Sequence, residues 1–182
     1  GLHNVENMTA AIAVAWLLGI GDIEIKQAVA AFRGVKRRFD YVHKDEQVVF
    51  IDDYAHHPEE LRALLTSARG LFPKRKMVLF FQPHLYSRTR DFAEGFTEVL
   101  GMADELVLLP IYPARELPMQ GVNSEMLLTN MRNIPRQVLS KEELLKKVEE
   151  LVKEKEPLLI ITAGAGDIDR LLAPIKDRIE NK

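Results

Sequence analysis

The stretch Val48-Val49-Phe50-Ile51-Asp52-Asp53-Tyr54-Ala55-His56-His57-Pro58-Glu59-Glu60 decides how this chain folds. Val48 to Ile51 reads as a short buried strand. Pro58 with Glu59 and Glu60 reads as a helix start, because proline suits the first helical position and carboxylates suit the first turn. Two acids, a phenol and two imidazoles are packed between strand end and helix start. In open α/β sheets, ligands bind at that junction.

The same rhythm continues downstream. Pro58 to Arg69 is an amphipathic pattern with Leu61, Leu64, Leu65 and Ala68 inward and Gly70 as the expected C-cap. Lys76 to Phe81 predicts a buried strand, and Asp91 to Leu100 a helix carrying Phe92 and Phe96 on one face. Glu105 to Leu109, Arg136 to Leu139 and Leu158 to Thr162 predict further strands. Ser124 opens a short helix, and Ser140-Lys141-Glu142-Glu143 is a capping box for a helix to about Lys155. A last helix follows Asp167. Alternating strands and helices predict an α/β fold with a doubly wound, mostly parallel sheet. Tyr41-Val42 ahead of Val48 to Ile51 adds a hairpin.

Upstream, Met8 to Leu18 is apolar almost all round and predicts a buried helix, with Asn4 as its N-cap and Gly19 as its stop. His3 and Asn7 stand one turn apart and can face one ligand. Asp22 is the expected cap of a second helix that Gly34 ends. Two helices cannot bury their apolar faces alone, so Val35 to Asp40 reads as a linker. Within it, Arg37 and Arg38 beside Phe39 suit a phosphate, or form a solvated charge run. The start at Gly1 reads as that of a segment from a longer protein.

The chain has 182 residues, 47% hydrophobic and 29% charged, with a net charge of −2. That balance gives no reason to expect nucleic acid or an anionic membrane as partner. There is no cysteine, which rules out disulfide and thiol chemistry and fits a reducing compartment.

Four polar clusters follow four of the expected strands: Asp52 to His57, Gln82 to Arg88, Tyr112 to Glu116, and Gly164 to Asp167. A parallel sheet brings all four to its carboxyl edge. There Asp52 or Asp53 can accept a ribose hydroxyl or hold a metal-bound water, His56 or His57 can shuttle a proton or donate to an anion, and Arg88 or Arg90 can hold a carboxylate or phosphate. A metal is not expected, since the acids and imidazoles lack ligand spacing. Gly164-Ala165-Gly166 suits close packing better than phosphate, and the G-x-x-x-x-G-K-[ST] loop is absent.

Gly1-x-His3-Asn4-x-x-Asn7, Arg37-Arg38-Phe39 and Asp52-Asp53-Tyr54-Ala55-His56-His57-Pro58 resemble the Mur ligase family. Phe81-Gln82-Pro83-His84-x-Tyr86-Ser87-Arg88-Thr89, Tyr112-Pro113-Ala114 and Gly164-Ala165-Gly166-Asp167-Ile168 resemble the members that use L-alanine. The resemblance implies a Rossmann-like C-terminal domain over residues 37–182, preceded at 1–36 by the last helices of a central ATPase domain. It implies a cytoplasmic, ATP- and Mg2+-dependent ligase that joins L-alanine to UDP-N-acetylmuramate through an acyl phosphate. His3, Asn4 and Asn7 then match the adenine side, and one of Arg37 and Arg38, with Asp53, reaches ATP. Tyr54, His57, His84 and Arg88 match the amino-acid end, with His57 and Arg88 as catalytic candidates and Arg90 as a helix-start residue. Some relatives carry a second arginine where this chain has Leu85, which leaves Arg88 as the sole expected carboxylate grip. Without a phosphate loop, the chain alone is expected to be inactive. The alternatives are a ligase that attaches a recycled murein peptide, and a nucleotide- or sugar-phosphate-binding module without chemistry.

Overall fold

The computed structural model describes residues 2–181 except 130, 132 and 133, and the side chains of Leu2 and His3 lie outside the described residues. The chain divides into two compact units, Gly1–Val35 and Lys36–Lys182. The first holds helices α1 (Leu2–Leu17) and α2 (Asp22–Ala31). Helix α1 starts ahead of Asn4, which therefore lies within the first turn instead of capping it. Its apolar side chains are not buried as expected: Trp16 is 64% exposed, and Leu17 and Leu18 more so. A two-helix unit has too little surface to cover them. Helix α2 is capped by Gly21 rather than Asp22, because the Glu24 carboxylate reaches back to accept from the Gly21 N–H at 2.9 Å.

The second unit is built on one six-stranded sheet. Its strands are β1 (Asp40–Lys44), β2 (Val48–Asp53), β3 (Lys76–Phe81), β4 (Glu105–Leu108), β5 (Arg136–Val138) and β6 (Leu158–Ala163). Their spatial order is β1-β2-β6-β3-β4-β5. Strand β1 pairs antiparallel with β2, and every other pair is parallel. The last strand thus lies between β2 and β3, which do not pair with each other. Leu158 to Ala163 is in register with Val48 to Asp53 on one side and with Lys76 to Phe81 on the other.

Both faces are covered, so these strands read as continuous apolar runs. Successive side chains alternate. Val49, Ile51, Leu79 and Ile161 pack with α3 (Pro58–Leu71) and α5 (Ala93–Leu100). Phe50, Val78, Phe80 and Ile160 pack with α6 (Lys141–Leu151) and α7 (Leu172–Glu180). Between β3 and α5 lies a further helix, α4 (Tyr86–Asp91), and Phe92 breaks the two apart where its ring meets His57 at 4.5 Å. Arg90 accordingly sits in the last turn of α4, paired with Asp91, and not at a helix start. Gly70 stays inside α3, whose cap is Phe72, and α6 ends at Leu151, short of Lys155.

Ile160 is fully buried on the strand that pairs at both edges. Ile160→Ala is expected to cost about 2–5 kcal/mol in urea unfolding. Val42→Ala on the edge strand should cost less than half as much.

Candidate active site

Strands β2, β3, β4 and β6 run parallel, so the loops after them meet at one edge. The turn after β6 is pressed against the turn after β3. Gly164 has φ +143°, and a Cβ there would stand 2.8 Å from the Gln82 carbonyl oxygen. At Gly166, a Cβ would meet the Tyr112 side chain at 2.7 Å. Gln82 donates from Nε2 to Asp167 at 2.9 Å and accepts from the Ile168 N–H at 2.9 Å. Burial opposes ionisation of Asp167, but the bonds from Lys141 (2.5 Å) and Gln82 prevail and hold its carboxyl below the usual range. The two glycines serve close approach of backbones here.

Arg37 ties the linker to the ends of β2 and β6. Its Nε donates to Asp52 at 3.1 Å, its Nη2 to the Gly164 carbonyl at 2.5 Å, and its guanidinium lies 5.0 Å from the centre of the Tyr54 ring. Asp52 is fully buried. Burial raises its carboxyl above the usual range despite the bonds from Thr162 and Arg37. The Asp53 carboxylate accepts from the Phe39 N–H at 2.7 Å and the Ala55 N–H at 2.8 Å, holding both turns in place. Arg38 is exposed, 5.9 Å from the Tyr54 ring.

The structure gathers Tyr54, His56, His84 and Arg88. The His56 ring lies 5.2 Å from Tyr54 and 6.0 Å from His84, and Arg88 Nη1 donates to His84 Nδ1 at 3.2 Å. Arginine can only donate, so the proton of neutral His84 is on Nε2. Burial first, then the charges of Arg88 and His56, push the His84 imidazole below its ordinary range. His56 Nδ1 lies 2.8 Å from the Tyr54 carbonyl. A carbonyl only accepts, so in the neutral ring Nε2 is left with its lone pair. His57 takes a different place: it caps α3, Nδ1 accepting from the Glu59 N–H at 3.5 Å, and its ring packs edge-on against Phe92. That division was available in the sequence, since proline at the first helical position makes the residue before it the cap. His3, Asn4 and Asn7 belong to α1 of the first unit, and the side chain of His3 lies outside the described residues.

Four non-glycine residues with positive φ occur among the described residues: Arg37 (59°), Phe39 (53°), Leu85 (73°) and Ala114 (50°). Leu85 and Ala114 lie in the loops after β3 and β4, and Arg37 and Phe39 are bonded to the ends of β2 and β6. Each such conformation costs on the order of 1–3 kcal/mol and persists only where its surroundings impose it. Strained positions of this kind cluster at functional sites, and here they gather at the carboxyl edge. Among the described residues, no helix is long and apolar enough to cross a membrane.

Comparison with known proteins agrees with this fold. The family described as Mur ligase, glutamate ligase domain, matches residues 37–166. The UDP-N-acetylmuramate–L-alanine ligase of Cytophaga hutchinsonii is 51% identical over 97% of this chain. That of Flavobacterium johnsoniae is 48% identical over the same share. The chain spans 37% and 38% of those two relatives. Among solved structures, UDP-N-acetylmuramate–alanine ligase from Thermotoga maritima aligns with TM-score 0.78 and 30% identity, covering all of this chain and 38% of that one. A murein peptide ligase from Psychrobacter arcticus shares the fold, with TM-score 0.69 and 22% identity over all of this chain and 38% of that one.

The contact between the β6 and β3 turns can be tested on stability. Gly164→Ala should destabilise by roughly 1–3 kcal/mol, since alanine both resists that φ and crowds Gln82. Gly70→Ala in α3, with open space around it, should instead stabilise by about 0.5–1 kcal/mol. Urea unfolding of the two variants checks both signs.

Proposed function

The chain belongs to the Mur ligase family, and from that premise we propose that it is the C-terminal part of an ATP-dependent ligase joining L-alanine to UDP-N-acetylmuramate. Residues 37–182 are then the domain that receives the amino acid, and residues 1–36 the end of the preceding ATP-binding domain. The reading is supported by the relatives' names and by the edge chemistry. In this reaction ATP phosphorylates the carboxylate of the sugar acid, releasing ADP. The amine of alanine then attacks the acyl phosphate, the amide C–N bond forms, and inorganic phosphate leaves.

The residues present suit the amino-acid half of that reaction. Arg88 offers a guanidinium fork to the alanine carboxylate. His84, with its proton on Nε2, is a donor toward the same end. The amine must be neutral to attack, so its proton needs an acceptor. The His56 Nε2 lone pair supplies one, and His57, committed to the α3 start, is left as support. Arg38 rather than Arg37 reaches the nucleotide, because Arg37 is engaged with Asp52 and Gly164. The acids of this edge do not suit a resident Mg2+. Asp52 is buried against Arg37, Asp53 is held by backbone N–H groups, and among the described residues no three acidic or imidazole side chains converge.

The observation that carries the reading is the pairing of Arg88 with His84 beside His56. Alanine presents one methyl group, worth roughly 1 kcal/mol of apolar discrimination, so its carboxylate must do most of the positioning. A charge-assisted hydrogen bond to it contributes about 1.5–3 kcal/mol. In the complete ligase, Arg88→Ala should therefore raise the KM for alanine about 10- to 100-fold and leave the KM for ATP nearly unchanged. Steady-state kinetics with each substrate varied separately check this, and an unchanged alanine KM removes the assignment.

A further inference from the structure

The loop after β4, residues 110–116, carries none of the groups assigned to substrate above, yet the turn that bears His84 and Arg88 rests on it. The Tyr112 N–H donates to the Pro83 carbonyl at 2.8 Å, and the Leu85 N–H donates to the Tyr112 carbonyl at 2.9 Å. These bonds extend the parallel pairing of β3 and β4 beyond the strand ends, as a bridge between His84 and Tyr112. The Tyr112 ring is stacked on the His84 ring, with centroids 5.7 Å apart and planes 15° from parallel.

Further along the loop, the Glu116 carboxylate takes both donors of Ser87. The Ser87 N–H reaches Oε2 at 2.9 Å, and the Ser87 hydroxyl makes a short bond to Oε1. The Ser87 bonds hold the Glu116 carboxyl below the usual range, with the charge of Arg88 adding to them. Ser87 stands between two points that need support. Two residues before it, Leu85 has φ +73°, a conformation that reverts unless held. The residue after it is Arg88.

We propose that Glu116 is a positioning residue for the amino-acid end of the site. By clamping Ser87 through two hydrogen bonds, it keeps the strained turn at Leu85 wound and presets the Arg88 guanidinium against His84 before the amino acid arrives. This deepens the function proposed above and rests on it. A guanidinium fixed in advance loses less conformational freedom on binding, so the effect falls on amino-acid affinity. Glu116 acts through Ser87 and does not itself touch substrate.

The test uses the complete ligase with L-alanine and ATP as probes. Glu116→Ala should raise the alanine KM about tenfold, with the ATP KM unchanged within about twofold. Glu116→Asp, which keeps the carboxylate on a shorter arm, should recover part of that. In an Arg88→Ala background, Glu116→Ala should add less than about twofold, because the group it positions is gone. An equal rise in both KM values, or full multiplication of the two effects, means a general structural role and overturns the proposal. An unchanged alanine KM in Glu116→Ala beside a raised one in Arg88→Ala overturns this proposal alone. Unchanged alanine KM values in both overturn the role of Arg88 and this proposal with it. If Glu116→Ala does not fold, Glu116→Gln carries the same test, since it retains one acceptor for Ser87 and loses the other.

Discussion

The second unit depends on the insertion of β6 between β2 and β3. Those two strands share no hydrogen bonds, and each pairs on that side only with Leu158 to Ala163. Without β6 the sheet is two fragments, the β1–β2 hairpin and the β3–β4–β5 strip. Backbone N–H and C=O groups along the interior edges of β2 and β3 would then lack partners, a cost that buried strands do not tolerate. The joining contacts are long-range in sequence: Thr162 donates to Asp52 across 110 residues at 2.7 Å. Such pairing forms late and slowly compared with local structure.

The same insertion builds the site. Asp52 to His57 hang from the hairpin side, and Gln82 to Arg90 from the strip. Between them the β6 turn has backbone to offer on both sides. Its Gly164 carbonyl takes the Arg37 guanidinium, and its Gly164 and Gly166 lie flush against Gln82 and Tyr112. Glycine is required because a Cβ at either position would enter its neighbour's van der Waals space. His56 and His84, from different halves, consequently come within 6.0 Å. The edge is held by buried or engaged groups such as Asp52, Asp167 and Arg37, and the function proposed above uses the others: Arg38, Tyr54, His56, His84 and Arg88.

Much of this is legible in the chain because its signals are local. Met77 to Phe81 is an unbroken apolar run bounded by Lys76 and by Gln82-Pro83, and the strand runs from Lys76 to Phe81. The Ser140 box caps α6 as its spacing requires. What was illegible depended on partners. The apolar girth of α1 predicts burial, but no pattern in a helix says whether a surface is there to cover it. Gly70 looked like a stop, yet a helix can run through glycine at a cost of about 1 kcal/mol when its apolar face goes on packing. The central place of β6 cannot be read from strand order in sequence. Within the site, the resemblance put His57 at the amino-acid end, but the residue before Pro58 caps α3, and it is His56 whose ring lies beside His84. The support given by Glu116 to Ser87 joins residues 29 apart in sequence, and only the fold reveals it.

The central claim is that the two halves joined by β6 form one receptor for the amino acid. It is tested most directly by a crystal structure of the complete ligase with L-alanine and a non-hydrolysable ATP analogue. The account predicts the alanine carboxylate within hydrogen-bond distance of the Arg88 guanidinium and the amine facing His56. An alanine bound away from this carboxyl edge, or held there with Arg88 turned aside, would contradict it.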